Sequence, residues 1–211
     1  MATPPSRGSL TREALVERAG DLFRARGFRA TSIGDVVEHT GVPKGSLYHH
    51  FPSKDQLGYA VLDRWRDEFQ TRFIAPLLAA EGPAPLERVT RFLEQFVEAQ
   101  RAGTCRGGCP FGTLAAEMAD VHEGFRTRLA ETFEGFAGAI ATQLRRAQTQ
   151  GTLRGDADVT ALATFLVATL EGGVLLAKVY RSTVALDSAV SAARAHLERF
   201  QVSPSADPPR A

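Results

Sequence analysis

Four side chains able to donate hydrogen bonds or carry positive charge lie in one short stretch, KGSLYH. Lys44 can donate to a guanine edge or to a phosphate, and Ser46 offers a short, versatile hydrogen bond. Tyr48 and His49 suit phosphate oxygens or thymine methyl groups, while Gly45 lets a backbone come close to another molecule. Ordinary solvated side chains are the simpler alternative. The chemistry predicted for this stretch is recognition of double-stranded DNA.

The segment before it has the spacing of a short amphipathic helix. Ile33, Val36 and Val37 recur at three- and four-residue intervals and therefore share one face. A capping-box pattern opens this helix, with Ser32 or Thr31 as the cap. Because free backbone N–H groups at a helix start attract phosphate, we expect Ser32 or Thr31 to lie beside the DNA backbone.

Glycine and proline place the turn and the second helix. Gly41 can take the left-handed conformation that ends a helix, and Pro43 fits the first turn of the next one. Leu47 and Phe51 give that second helix a buried side. Two helices with a short turn form the helix-turn-helix pattern, whose second helix enters the major groove. Lys54, in the first turn of the following helix, would hold a further phosphate.

At these residues the chain resembles the TetR family of bacterial one-component transcriptional regulators. The match runs through Gly27-Phe28, Thr31-Ser32-Ile33, Gly41-Val42, Lys44-Gly45-Ser46-Leu47-Tyr48, His50-Phe51 and Lys54-Asp55. Val37 and Thr40 stand where the family more often has alanine. The resemblance ends near Asp63. It implies a three-helix DNA-binding head followed by a larger helical domain for ligand binding and dimerisation.

The rest of the chain repeats apolar residues at helical spacing and contains no convincing alternation of period two. The predicted fold is therefore all-α, with about nine helices. We expect a DNA-binding domain at 9–55 and a ligand-binding and dimerisation domain at 56–201. The ends, 1–8 and 202–211, are rich in Pro, Ser and Ala and are predicted to be disordered tails.

The fourth helix is expected to begin at Lys54 and to run to about Ile74. Pro76, together with the EGPAP stretch that follows, is expected to form a loop after it. A helix in this place would link the DNA-reading head to the remainder of the chain. A tilt of that helix would therefore move the head.

Composition limits the class and the compartment. The chain of 211 residues is 44% hydrophobic and 23% charged, as in an ordinary soluble globular protein. Its net charge of +1 excludes a polybasic coat, so DNA contacts must come from a local patch. The start lacks the apolar core of a signal peptide, and the apolar run Val159 to Leu170 is closed by Glu171, too short for a membrane span. We expect a bacterial cytoplasmic, nucleoid-associated protein without a membrane partner.

Two C-terminal segments, 156–180 and 186–200, are predicted to form a homodimer interface. The first is apolar nearly all round, which indicates burial on more than one side. It also carries small residues that permit close helix approach, namely Ala161, Ala163, Ala168, Gly172 and Gly173. A single recognition helix binds weakly, so a dimer on a palindromic operator is expected. The resemblance implies a four-helix bundle made from two such pairs.

Aromatic and aliphatic residues are numerous in the fourth helix and the segments after it, where the family builds its ligand cavity. Packing in an ordinary helical core is the alternative role. The predicted lining consists of Trp65, Phe69, Phe73, Phe92, Phe96, Cys109, Phe111, Leu114, Met118, Phe133, Phe165 and Thr169. The resemblance implies a repressor that a small molecule releases from DNA, and this lining predicts that the effector is apolar or aromatic.

Cys105 and Cys109 are a second candidate for chemistry. Cys109 directly precedes Pro110, and the free N–H groups of a helix start would stabilise its thiolate. Sensing of oxidants or electrophiles is one role for this pair, and packing at a kink is the other. Adding His122 gives three ligands of a zinc-finger spacing, but the second histidine is missing, so no metal is predicted. No nucleotide or cofactor motif is present, and a helical enzyme is the alternative from another class.

Overall fold

The computed structural model describes residues 7–79 and 81–202, with side chains from Arg12 onward. Within these ranges the regular structure is helical, apart from one isolated bridge between Leu153 and Gln201. Nine helices follow one another if the turns that prolong α4 are counted with it, which confirms the all-α prediction. They are α1 (Arg7–Arg26), α2 (Ile33–Thr40), α3 (Lys44–His50), α4 (Lys54–Phe69), α5 (Pro85–Ala102), α6 (Pro110–Met118), α7 (Glu123–Thr149), α8 (Val159–Tyr180) and α9 (Val184–Glu198).

Most of the two predicted tails, 1–6 and 203–211, lies outside the described residues. Within the described part, Arg7 already belongs to α1. At the other end, the Val202 N–H donates to the Thr152 carbonyl oxygen at 3.0 Å. The predicted tails are therefore too long at both ends by these residues.

The chain divides into two compact units. Within the described residues, the first contains 7–69 and Pro110–Leu129, and the second contains Gln70–Cys109 without residue 80, together with 130–202. Each unit is assembled from two separate segments, so the units alternate along the sequence. The predicted division at residue 55 concerns function and stays a prediction.

α4 continues through a widened turn. Gln70–Ile74 is π-helical and Ala75–Leu78 adds another α-helical turn. The predicted loop at Pro76 is therefore wrong, because this proline lies inside the helix. Proline has no N–H and crowds the preceding turn, and a π turn just before it lets the hydrogen-bond ladder change register. The helix ends at Leu78. In the connection to α5, the Pro83 carbonyl oxygen accepts a hydrogen bond from Nε of buried Arg88 at 2.7 Å.

Buried aromatic rings hold the first unit together. The Phe28 ring centre lies 5.0 Å from that of Phe23 and 4.9 Å from that of Phe125, edge to face in both cases. Phe28 is only 4% exposed, so its ring is part of the core where α1 meets the helix-turn-helix. Edge-to-face pairs of this kind add to the stabilisation that comes from burial alone. They connect the turn between α1 and α2 to the start of α7 within this unit.

α8 and α9 pack closely in the second unit. Asp158 caps the start of α8, and its carboxylate accepts from the N–H groups of Thr160 and Ala161, both at 3.0 Å. Gly173 makes the close approach possible, since a Cβ there would lie 2.6 Å from Leu186 Cδ1. A larger residue at Gly173 would force the two helices apart.

α8 extends beyond the apolar run Val159 to Leu170, as the predicted segment 156–180 implied. It spans Val159–Tyr180, and its most apolar window has a mean hydropathy of 1.9, enough by length and composition alone to cross a membrane. Glu171 does not end the helix, in agreement with the predicted segment 156–180, so the expectation that this stretch is too short for a membrane span is corrected on length and composition. Only 33% of that window is buried in the chain. Much of the apolar surface of α8 is therefore open to a further partner.

Candidate nucleic-acid interface

The start of α2 combines a capping residue with free backbone N–H groups. Ser32 Oγ accepts from the Asp35 N–H at 3.1 Å, and the Ser32 N–H donates to Asp35 Oδ2 at 2.6 Å. This is the predicted capping box. Hydrogen bonds from the Ser32 hydroxyl and N–H hold the pKa of the Asp35 carboxyl below its usual value. Gly41, with φ of 68°, ends the same helix as predicted.

Thr31 does not share the exposed position of Ser32. Its side chain is fully buried, and its hydroxyl donates to the Gly27 carbonyl oxygen at 2.8 Å. A buried hydroxyl with an internal acceptor is unable to reach a phosphate. The prediction of Thr31 as a DNA contact is therefore wrong, and Ser32 is the residue left exposed at this helix start.

α3 separates a buried side from an exposed polar side. Leu47 is fully buried, and Phe51, just after the helix, is 2% exposed. Lys44, Tyr48 and His49 lie on the exposed side, with Tyr48 42% exposed. The Lys44 ammonium lies 5.9 Å from the centre of the Tyr48 ring, so cation and ring share one patch. The structure thus brings these predicted contacts together on one surface.

Gly45 and Ser46 complete this surface. No heavy atom lies within 4 Å of a Cβ built at Gly45, so nothing inside the chain requires glycine there. Ser46 is half-buried beside it. Pro43 immediately precedes α3 instead of lying in its first turn. The open space around Gly45 allows another molecule to approach the helix backbone closely.

Lys54 begins α4, but its ammonium turns back toward the head. Ser53 Oγ accepts from the Gln56 N–H at 3.1 Å and caps the helix. Lys54 Nζ donates to the Arg29 carbonyl oxygen at 3.4 Å and lies 4.4 Å from the Phe28 ring centre. Burial lowers the pKa of the Lys54 ammonium, while nearby carboxylates oppose that effect. A phosphate contact by Lys54 would have to compete with these internal contacts.

One polar residue beside the head was not predicted. Glu117 on α6 accepts a hydrogen bond from the Arg29 N–H through Oε2 at 2.8 Å, across 88 positions of sequence. Both residues belong to the first compact unit. Spacing rules act over a few residues within one helix, so no sequence pattern could have paired these two positions.

The predicted effector-lining residues fall into both compact units. Those in the first unit are all buried, namely Trp65, Phe69, Phe111, Leu114 and Met118. The Phe111 ring centre lies 6.5 Å from that of Trp65 and 5.8 Å from that of Phe69, edge to face in both pairs. These side chains form a continuous aromatic cluster in that unit.

A second cluster lies in the other unit. The Phe73 ring centre is 6.4 Å from that of Phe92 and 5.3 Å from that of Phe96. Of the other predicted residues there, Cys109 is buried, and Phe133 and Thr169 are half-buried. Both clusters have the aromatic character that the predicted lining requires.

Phe165 is the exception among the predicted lining residues. Its side chain is 41% exposed, and its ring centre lies 5.1 Å from that of His196 on α9. The prediction of an interior position is wrong, because this position on α8 faces outward. The exposed ring belongs to the outer surface of the α8–α9 pair.

Cys105 and Cys109 are both buried, 5% and 7% exposed respectively. The Cys109 thiol shares a hydrogen bond with the Glu171 carboxylate. Burial raises the pKa of Glu171, and the thiol contact offsets only part of that effect. Cys105 itself has a left-handed backbone with φ of 54°, and its carbonyl oxygen accepts from Arg181 Nη1 at 3.3 Å. A thiol and a carboxyl group therefore meet beside a constrained loop.

Two family sequence models match the chain along most of its length. Residues 13–61 match "Bacterial regulatory proteins, tetR family", and residues 85–193 match "Tetracyclin repressor-like, C-terminal domain". The chain belongs to the TetR family of transcriptional regulators. Members of this family are cytoplasmic DNA-binding regulators and not enzymes, and they typically act as dimers that respond to small molecules. The prediction of a TetR-type helix-turn-helix in this part of the chain is therefore confirmed.

Individual relatives extend the match beyond the head. The repressor DhaR of Mycobacterium sp. strain GP1 is 30% identical over 83% of this chain and 86% of its own. A TetR regulator from Chloroflexus aurantiacus superposes with a TM-score of 0.83 at 28% identity, covering 92% of this chain and 98% of that one. The reduced form of NemR from Escherichia coli gives 0.81 at 27% identity, with coverages of 92% and 98%. The TetR likeness therefore includes the helical C-terminal part.

Proposed function

We propose that this TetR-family protein is a repressor that binds a palindromic operator as a homodimer and is released by a small apolar or aromatic effector. The observation that carries the proposal is the exposed patch of Lys44, Tyr48 and His49 opposite buried Leu47 on α3. With α3 in the major groove, this patch and the open backbone at Gly45 face the base edges.

The neighbouring helix starts supply the phosphate contacts in this proposal. Ser32 with the first N–H groups of α2 lies on one side of the groove, and Lys54 at the start of α4 lies on the other. Ser46 adds a hydrogen bond on α3. Residues 9–55 then read DNA, whereas 56–201 bind the effector and dimerise. Similarity to DhaR and NemR, both repressors, supports the direction of regulation.

The homodimer is proposed to form through α8 and α9. Exposed apolar or small residues recur along α8 at intervals of three or four, so they share one face. They are Ala161, Phe165, Ala168, Gly172, Leu175 and Val179, and Leu176 beside Leu175 is exposed as well. Val184 at the start of α9 is 68% exposed and extends this face. A second copy would cover the apolar surface and produce a four-helix bundle.

Selection of bound DNA from a random pool, followed by footprinting on the neighbouring promoter, tests the DNA-binding proposal. We expect a palindrome whose half-sites lie about 34–36 Å apart or a multiple of that spacing, since two heads must reach successive major grooves. Recovery of a single unpaired half-site bound by a monomer would contradict the dimeric repressor. Such regulation at a chromosomal operator would also make the protein nucleoid-associated.

A thermal-shift screen tests the effector class. The aromatic clusters around Phe111 and Phe73 predict that apolar and aromatic compounds raise the melting temperature and release the operator. The matched panel consists of polar metabolites of similar size. Stabilisation by the polar panel alone would contradict an apolar effector, and stabilisation without DNA release would contradict regulation by release.

A covalent effector is the second candidate, and it depends on the contact between Cys109 and Glu171. In this scheme Glu171 takes the thiol proton while the sulfur adds to the β-carbon of an α,β-unsaturated carbonyl compound. The carbon–carbon π bond breaks, and the proton returns to the α-carbon. Cys105 is the neighbouring second thiol for an oxidant. Mass spectrometry after mild peroxide or quinone treatment, with operator binding measured in parallel, tests this scheme. Unmodified cysteines together with lost DNA binding would contradict it.

A further inference from the structure

The turn between α1 and α2 is built around a carboxylate from α6. Glu117 Oε2 accepts from the Arg29 N–H at 2.8 Å. Gly27 has φ of +92°, and a Cβ there would lie 2.6 Å from Glu117 Oε1. Hydrogen bonds to ionised carboxylates are stronger than those between neutral groups. Glycine at this place thus serves both the backbone conformation and the seating of Glu117.

We propose that Glu117 is a positioning residue for DNA binding, which holds the turn from Gly27 to Arg29 and thereby the start of α2. Ser32, the exposed cap of α2, follows Arg29 by only three residues. The phosphate-facing N–H groups of α2 come directly after Ser32. A shift of the turn would therefore displace this phosphate site.

The turn is stiff enough to transmit such a shift. Within it, the Thr31 N–H donates to the Phe28 carbonyl oxygen at 3.3 Å, and the Thr31 hydroxyl donates to the Gly27 carbonyl oxygen at 2.8 Å. Phe28 itself is packed between two other rings. Because these bonds close the turn on itself, the turn and the cap of α2 move together.

The same carboxylate acts on the second predicted phosphate site. Lys54 Nζ donates to the carbonyl oxygen of Arg29, the residue whose N–H is bound by Glu117. The charge of Glu117 is also among those that favour the protonated form of Lys54 and raise its pKa against the effect of burial. Glu117 therefore affects both proposed phosphate sites, the start of α2 and Lys54.

The inference rests on the proposed function in one respect, namely that the effector-free form is the one that binds the operator. Glu117 lies in the segment that matches the C-terminal family model, residues 85–193, whereas the turn lies in the segment 13–61. Any change that withdraws α6 would remove the carboxylate from Arg29. Loss of this contact would then weaken DNA binding.

The test compares Glu117→Ala and Glu117→Gln with Glu131→Ala, which removes an exposed carboxylate from α7. Three quantities are measured on the full chain: affinity for DNA selected from the random pool, hydrogen exchange at the Arg29 amide, and melting temperature. We expect Glu117→Ala to accelerate exchange at Arg29 and to weaken DNA binding about tenfold. Glu117→Gln keeps an acceptor oxygen and should lose about threefold or less. Glu131→Ala should match the wild type.

Gly27→Ala approaches the same contact from the other side. It should reproduce the effect of Glu117→Ala, and combining both should weaken DNA binding little more than either alone. Gly151→Ala is the matched control, because Gly151 has φ of +69° and no heavy atom within 4 Å of its Cβ position. That control introduces the backbone strain without touching a carboxylate. It should lower the melting temperature and leave DNA affinity unchanged.

Two results would overturn the inference. Faster exchange at Arg29 with unchanged DNA affinity would show that Glu117 holds the turn without positioning the DNA contact. Tighter DNA binding by Glu117→Ala would show that the contact favours the released form. Failure of the wild type to bind any selected DNA would instead refute the proposed function. Exchange at Arg29 would in that case still show whether Glu117 holds the turn.

Discussion

α3 and α8 both expose side chains suited to a macromolecular partner, but those of α3 are polar and those of α8 are apolar. On α3, Lys44 and Tyr48 face outward while Leu47 is fully buried. On α8, Leu175 and Val179 face outward and are 60% and 64% exposed. The first surface suits the edges and phosphates of a DNA groove, and the second suits another apolar helix. Operator binding in the proposed scheme needs both surfaces. The apolar surface of α8 joins two copies of the chain, and the dimer then presents two α3 surfaces to one operator.

The largest effect is expected from a charge placed on the apolar surface. Leu175→Glu would bury a carboxylate between the two copies, so the dimer should dissociate and operator affinity should fall by at least about 100-fold. Sedimentation and fluorescence anisotropy on the same samples measure both quantities. Val121→Glu is the matched control, because Val121 is 61% exposed but lies in the turn between α6 and α7. A Leu175→Glu variant that stays dimeric would contradict the proposed role of the α8 surface in dimerisation.

On the polar surface the leading prediction concerns base recognition. Lys44→Ala should cost about 1–3 kcal/mol of binding free energy at operators with the preferred base and little at operators without it. Selection of DNA with the variant, compared with the wild type, measures the change in preference. An equal loss at every sequence would assign Lys44 to a phosphate instead.

A smaller loss is expected for Lys54→Ala, with no change in the preferred sequence. The slope of log affinity against log salt should become shallower by about one or less, because the ammonium already contacts the Arg29 carbonyl oxygen and the Phe28 ring. Titrations at several salt concentrations measure that slope. A changed sequence preference with an unaltered slope would argue against the phosphate role.

Features of α2 and α3 that depend on a few neighbouring residues could be predicted from the sequence. The capping box needs only Ser32 and Asp35, and the end of α2 needs only Gly41. The burial of Leu47 follows from its place on one face of a short helix. Such features depend on backbone geometry over three or four residues, which the order of residues already determines.

Features set by contacts between distant segments could not be predicted. Thr31 and Ser32 are chemically alike, and only packing of the head decides that Thr31 is buried. The sequence does not determine which face of α8 packs against α9, so the exposed position of Phe165 could not be predicted. Pro76 stays helical because a π turn precedes it, and a π turn has no reliable sequence pattern. Glu117 meets Arg29 only through the tertiary fold.

The smallest predicted effect concerns the side of α8 that carries Glu171. Burial raises the pKa of its carboxyl above the ordinary value of 4.5, so the folded chain holds this proton more tightly than the unfolded chain does. Wild-type stability should therefore fall as the pH rises from about 4.5 through the raised pKa, and it should stay lowered above it. Glu171→Gln keeps an acceptor for the Cys109 thiol but carries no charge. At neutral pH it should raise the melting temperature by no more than about 2–4 °C, and below pH 4.5 it should match the wild type. Calorimetry across this pH range, with Glu131→Gln as the exposed control, measures the difference, and an equal shift at every pH would rule out ionisation as its cause.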